Sequence, residues 1–156
     1  MWRFGFPNYA PGTFPTMSEH STPKLDTRVP TVLLVDDDPR MLSSLARVLR
    51  PLQIQVRLAP DGVEALAWVS AGGDPAVVIS DNSMPGMTGL ELLEGIESLV
   101  PTAFLVLHTG DARLAIDLRS GTMITIVAKP SDSELLRRLV WAAVRSTTER
   151  PPNSAW

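Results

Sequence analysis

The chain has 156 residues, enough for one domain with tails, and its 44% hydrophobic and 20% charged content excludes the disordered and fibrous classes. A formal net charge of −3 gives no basic footprint for nucleic acid, and the lack of cysteine excludes disulfides, thiolate metal sites and a cysteine nucleophile. No apolar run approaches the roughly 20 residues that span a bilayer, so no membrane partner is expected and the cytoplasm is the expected compartment.

Residues 1–29 carry Pro7, Pro11, Pro15 and Pro23 without an apolar period, and they read as a flexible arm. Met17 offers an alternative start. A domain is expected over 30–146 and a tail over 147–156. The domain opens with TVLLV (31–35), a continuous apolar run suited to a strand buried on both faces. Asp38 and Pro39 then supply an N-cap and a first helical residue. Met41, Leu42, Leu45, Val48 and Leu49 follow at helical spacing, and Pro51 stops the helix.

The alternation repeats. IQVRLA (54–59) reads as a strand, and DGVEALAWVS (61–70) as a helix ended by Gly72 and Gly73. AVVIS (76–80) is a strand, and GLELLEGIESL (89–99) a helix. AFLVLH (103–108) and MITIVA (123–128) are the last two strands, separated by a helix over 111–120. SDSELLRRLVWAAVR (131–145) is the closing helix, capped by Ser131 or Ser133, with Leu135, Leu136, Leu139, Val140 and Val144 on one face. Five strands alternating with five helices imply a doubly wound α/β fold with a parallel sheet and right-handed crossovers.

Functional groups in such sheets gather beyond the carboxyl ends of the strands. The first strand ends in Asp36 and Asp37, the third in Asp81, the fourth in Thr109 and the fifth in Lys129. Crowded carboxylates repel one another and call for a cation. A hard divalent ion, Mg2+ or Mn2+, suits an all-oxygen set of this kind. The hydroxyl and the ammonium suit the oxygens of an incoming phosphoryl group, so the set points to phosphoryl transfer onto a carboxylate.

The segments VLLVDDDP, VVISDNSMPGMTGLELL, LVLHTGD and IVAKP, in this order, resemble the receiver domain of two-component response regulators. The resemblance spans roughly Val29 to Arg145 and implies a flavodoxin-like strand order of 2-1-3-4-5. It further implies that Asp81 accepts a phosphoryl group from a histidine kinase or phosphotransfer protein. Asp37, Asp81 and the backbone carbonyl of Ser83 would ligate the metal, with Asp36 acting mainly through a bound water. Lys129 would pair with the acyl phosphate and Thr109 would bond one of its oxygens. Ser83 and Asp111 stand where receivers tune dephosphorylation, and Lys129–Pro130 is a candidate cis bond. The resemblance is to a stand-alone receiver that signals by binding an unidentified downstream protein, with homodimers forming through the fourth helix, fifth strand and fifth helix.

Ile126 departs from the pattern, because many receivers carry Tyr or Phe three residues before the lysine. That departure keeps a second reading open: a pseudo-receiver that binds partners without switching. A third, a haloacid dehalogenase-like phosphatase, conflicts with the proline and arginine of DDDPRM. The chain is expected to act only on its own phosphorylation, not as a turnover enzyme. Of the remaining residues, Asp38 reads as a helix cap, His108 as a partly exposed strand residue, and Trp141 as packing.

Overall fold

The computed structural model describes residues 28–111, 113 and 123–148. Its strands are β1 (Thr31–Val35), β2 (Gln55–Ala59), β3 (Val77–Asp81), β4 (Phe104–Thr109) and β5 (Ile124–Ala128). Its helices are α1 (Pro39–Leu49), α2 (Gly62–Ser70), α3 (Gly89–Leu99) and α4 (Ser133–Thr148). The sheet is parallel throughout, in the order β2-β1-β3-β4-β5, which is the flavodoxin-like arrangement expected. The helix expected over 111–120, and with it part of the expected dimer face, lies outside the described residues apart from 111 and 113. So do the arm up to residue 27 and the tail from 149. No described helix is long and apolar enough to cross a membrane.

Alternate strand residues face opposite sides of a sheet, and the central strands here are apolar on both. Val32, Leu34, Ile79 and Val106 pack with Leu42, Leu45, Leu136 and Val140 beneath α1 and α4. Leu33, Val35, Val78, Leu105 and Leu107 pack with Ala65, Leu92 and Ile96 beneath α2 and α3. Burying each valine, leucine or isoleucine among them contributes about 1.5–3 kcal/mol. Two closed cores thus grip β1, β3 and β4, and the carboxyl ends of those strands are fixed as a consequence.

Helix starts follow local chemistry. The Asp38 carboxylate accepts the Arg40 N–H at 2.8 Å, with Pro39 in the first turn. Asp61 caps α2 through the Glu64 N–H at 2.7 Å. Thr88 and Glu91 form a reciprocal capping box on α3.

Four details differ from the sequence reading. β3 and β4 each run one residue further than expected, so Asp81 and Thr109 belong to the ladder itself. The residue preceding α4 is Asp132, not either serine, and its carboxylate accepts the Glu134 N–H at 2.9 Å. α4 continues to Thr148, three residues beyond Arg145, the expected end of the closing helix. Leu135 is 59% exposed and Trp141 46% exposed, so neither joins the core face; the Arg145 guanidinium instead lies 5.8 Å from the Trp141 ring centre.

Candidate functional site

Asp36 follows β1 and is buried, with one carboxylate oxygen accepting the Asp38 N–H at 2.9 Å. Its other oxygen meets the Lys129 ammonium at 3.3 Å. The same ammonium donates to Asp81 at 2.8 Å. Asp37 is exposed beside them, and Asp36, Asp37 and Asp81 each offer an oxygen within 4.8 Å of the others. One ammonium cannot neutralise three carboxylates, so the cluster keeps an excess of negative charge. An all-oxygen donor set of this charge, partly open to solvent, fits a hard divalent cation.

Lys129 is partly buried. Desolvation is the largest single influence on it and favours the neutral amine. The hydrogen bond it donates to Asp81 and the charges of Asp36 and Asp81 together outweigh that, and its pKa is raised above 10.5. The group is therefore a fixed cation next to Asp81. The Lys129–Pro130 peptide bond is cis.

Thr109 is buried at the end of β4. Its hydroxyl accepts the Asp111 N–H at 3.0 Å, which leaves its own proton to donate. Its carbonyl accepts the Lys129 N–H at 2.8 Å, tying the two residues across β4 and β5. Asp111 is exposed and accepts the Arg113 N–H at 2.9 Å.

Between β3 and α3 the chain must turn immediately beside Asp81. The Asn82 carbonyl accepts from both Met84 and Gly89, and the Asn82 side chain accepts the Leu90 N–H at 3.2 Å. Gly86 takes φ +84°, in the left-handed region that glycine tolerates best. A Cβ on Gly89 would overlap the Asp81 carbonyl oxygen, which also accepts the Ser80 hydroxyl at 2.8 Å. Ser83 is exposed within this turn, and Ile126 is half-buried against the core beneath α2 and α3.

The structure thus gathers Asp36, Asp37, Asp81 and Lys129 into one cluster, with Thr109 bonded to the lysine backbone and Asp111 bonded to Thr109. His108 corrects the sequence reading. It is 3% exposed, not partly exposed, and stands in register with Asp81. Its Nε2 lies 3.0 Å from the Ser131 hydroxyl, while Nδ1 is buried without a hydrogen-bond partner among the described residues. Burial first, and the Lys129 charge second, hold its pKa below 6.5 against the pull of Asp36 and Asp81. Its partner is 23 residues away, so nothing local revealed the pairing. The inward alternation from Val106 was the one available signal.

The response regulator receiver domain matches residues 32–140. The chain belongs to that family. The receiver is 34% identical over 123 residues to the C4-dicarboxylate transport transcriptional regulatory protein DctD of Rhizobium meliloti, covering 78% of this chain and 26% of that protein. It is 30% identical over 129 residues to the DNA-binding response regulator MtrA of Mycolicibacterium smegmatis, covering 81% of this chain and 56% of that one. The receiver therefore spans between about a quarter and just over half of these two regulators. Among solved structures, the signal receiver domain of an HD domain-containing protein from Pseudomonas fluorescens Pf-5 superposes with a TM-score of 0.70 at 29% identity, over 79% of this chain and 100% of that one.

Proposed function

We propose that this receiver is a cytoplasmic phosphoacceptor switch in a two-component or phosphorelay system, taking its phosphoryl group onto Asp81. The observation that carries this is the Lys129 ammonium held 2.8 Å from Asp81, inside a cluster of three carboxylates at the strand ends. In the reaction an Asp81 carboxylate oxygen forms a bond to phosphorus. The bond from phosphorus to the donor's histidine nitrogen breaks, and its electron pair returns to the imidazole. Lys129 pairs with the phosphoryl oxygens, and Thr109 donates its hydroxyl proton to one of them. Asp36, Asp37, Asp81 and the Ser83 carbonyl would hold Mg2+ or Mn2+, which when bound neutralises charge on the transferring group. Ser83 and Asp111 would modulate the later hydrolysis, in which water attacks phosphorus, the bond from phosphorus to Asp81 breaks and inorganic phosphate leaves. The receiver itself turns over no other substrate, and its output is a contact with another protein.

The test is incubation with acetyl phosphate followed by intact-mass measurement. One Mg2+-dependent phosphoryl group per chain is expected in the wild type and none in Asp81→Asn. A wild-type protein that stays unlabelled with Mg2+ present sinks the reading.

A further inference from the structure

We infer that His108 is a positioning residue for the Lys129 ammonium, acting through its hydrogen bond to Ser131. The inference rests on the reading of Asp81 as phosphoacceptor and extends it to a pair that carries none of the reacting atoms.

The β4–β5 ladder runs to the Thr109–Ala128 pair, and directly beyond it the Lys129 N–H donates to the Thr109 carbonyl at 2.8 Å. Beyond it the chain leaves the ladder through Pro130 and Ser131 and enters α4 at Ser133. The His108–Ser131 contact at 3.0 Å is the second tie, placed on the far side of Lys129 from the ladder. Lys129 is thus bracketed, fastened at its own N–H and again two residues later. A four-carbon side chain loses considerable rotamer freedom when its head is fixed between two carboxylates. Fixing its backbone on both sides reduces the error with which the ammonium reaches Asp81.

The location of His108 supports this role over simple packing. It stands beside Asp81 in the β3–β4 register, where an aliphatic residue would fill the space at lower desolvation penalty. The ring is instead kept with one nitrogen satisfied by Ser131 and the other buried and, among the described residues, without a hydrogen-bond partner. The same bond joins the strand that carries Thr109 to the segment that starts α4, so it links the site to the helix whose outer face bears Trp141 and Arg145.

The experiment compares initial rates of Mg2+-dependent labelling by acetyl phosphate in the full chain and in His108→Leu, Ser131→Ala and the double variant. A neutral hydrogen bond of ordinary strength corresponds to a fall of about three- to tenfold in each single variant. The double variant is expected to match the singles rather than multiply them, because both remove one bond. Ser131→Thr, which keeps a hydroxyl, and His108→Gln, which keeps a nitrogen near the position of Nε2, are expected to restore the rate to within about twofold. Urea unfolding establishes that each variant is folded, and Ser131→Ala, at a partly exposed loop position, serves if the His108 variants do not fold. Unchanged rates in the single variants, or losses that multiply in the double, overturn the inference while leaving Asp81 as the acceptor. An unlabelled wild type removes both.

Discussion

Lys129 is one cation set against Asp36 and Asp81, and the sign of its effect on stability follows from its raised pKa. The folded state holds the proton more tightly than the unfolded chain does. Its contribution is therefore fully present below the ordinary lysine pKa of about 10.4 and fades as pH rises through the higher folded value. Urea midpoints of the wild type and Lys129→Met are expected to differ at pH 8 and to converge as pH is taken above about 10.4. A gap that stays constant to pH 11.5 contradicts the pairing. Lys129→Met is also expected to lower the rate of Asp81 labelling by at least tenfold, the effect of losing a positioned charge-assisted donor. His108 shows where single-residue reading stops. Its type and position in the chain suggested an ordinary strand residue, and only the fold reveals that Ser131 closes on it.

Among the elements, the β3–α3 connection is the most constrained by contact. Thr88→Ala removes one half of a capping box and is expected to destabilise by about 1 kcal/mol without altering Asp81 labelling. Gly89→Ala, one residue later, drives a methyl group into the Asp81 carbonyl. It is expected to destabilise by about 1–3 kcal/mol and to slow labelling as well, because relief of the overlap must displace the strand end that carries the acceptor. Denaturant melts and labelling rates measured on the same samples separate the two outcomes. Helix α3 itself was legible to the residue: the apolar spacing of GLELLEGIESL gave 89–99, the span observed. The start of α4 was not. Ser131, Asp132 and Ser133 are all good caps by type, and the choice among them depends on Ser131 being drawn to His108, a tertiary fact. The exposure of Leu135 was hidden for a similar reason: an apolar residue at helical spacing says nothing of which flank faces the sheet.

For the molecule as a whole, parallel pairing delivers Asp36, Asp81, Thr109 and Lys129 to one edge from four different strands. This much was readable in the sequence, because continuous apolar runs each ended in a polar group. The order of the strands was not, and it came from resemblance, since periodicity does not say which strand pairs with which. The concentrated carboxylates make a global prediction. Mg2+ at about a hundred times its dissociation constant is expected to stabilise the wild type by about 2.7 kcal/mol, read as a rise in Tm over a matched-ionic-strength Na+ control. The rise is expected to shrink or vanish in Asp37→Asn, whose metal-free form melts no lower than the wild type because a repulsive charge has gone. A Tm indifferent to Mg2+ in the wild type would remove the cation from the account.

The same geometry governs what can be attached to this chain. Every strand of a parallel sheet enters from one edge and leaves at the other, so Arg28, just ahead of β1, sits at the edge away from the carboxylates. α4 begins at the acidic edge and travels back along the sheet, its Val144 packing in the same cluster as Val32 and Val77 near the strand starts. Both described ends thus exit on the side remote from Asp81. A neighbouring domain or fluorescent reporter joined directly at Arg28 or Thr148 would start some 16 Å or more from the acceptor, the length of a five-residue strand, on the side away from the mouth of the site.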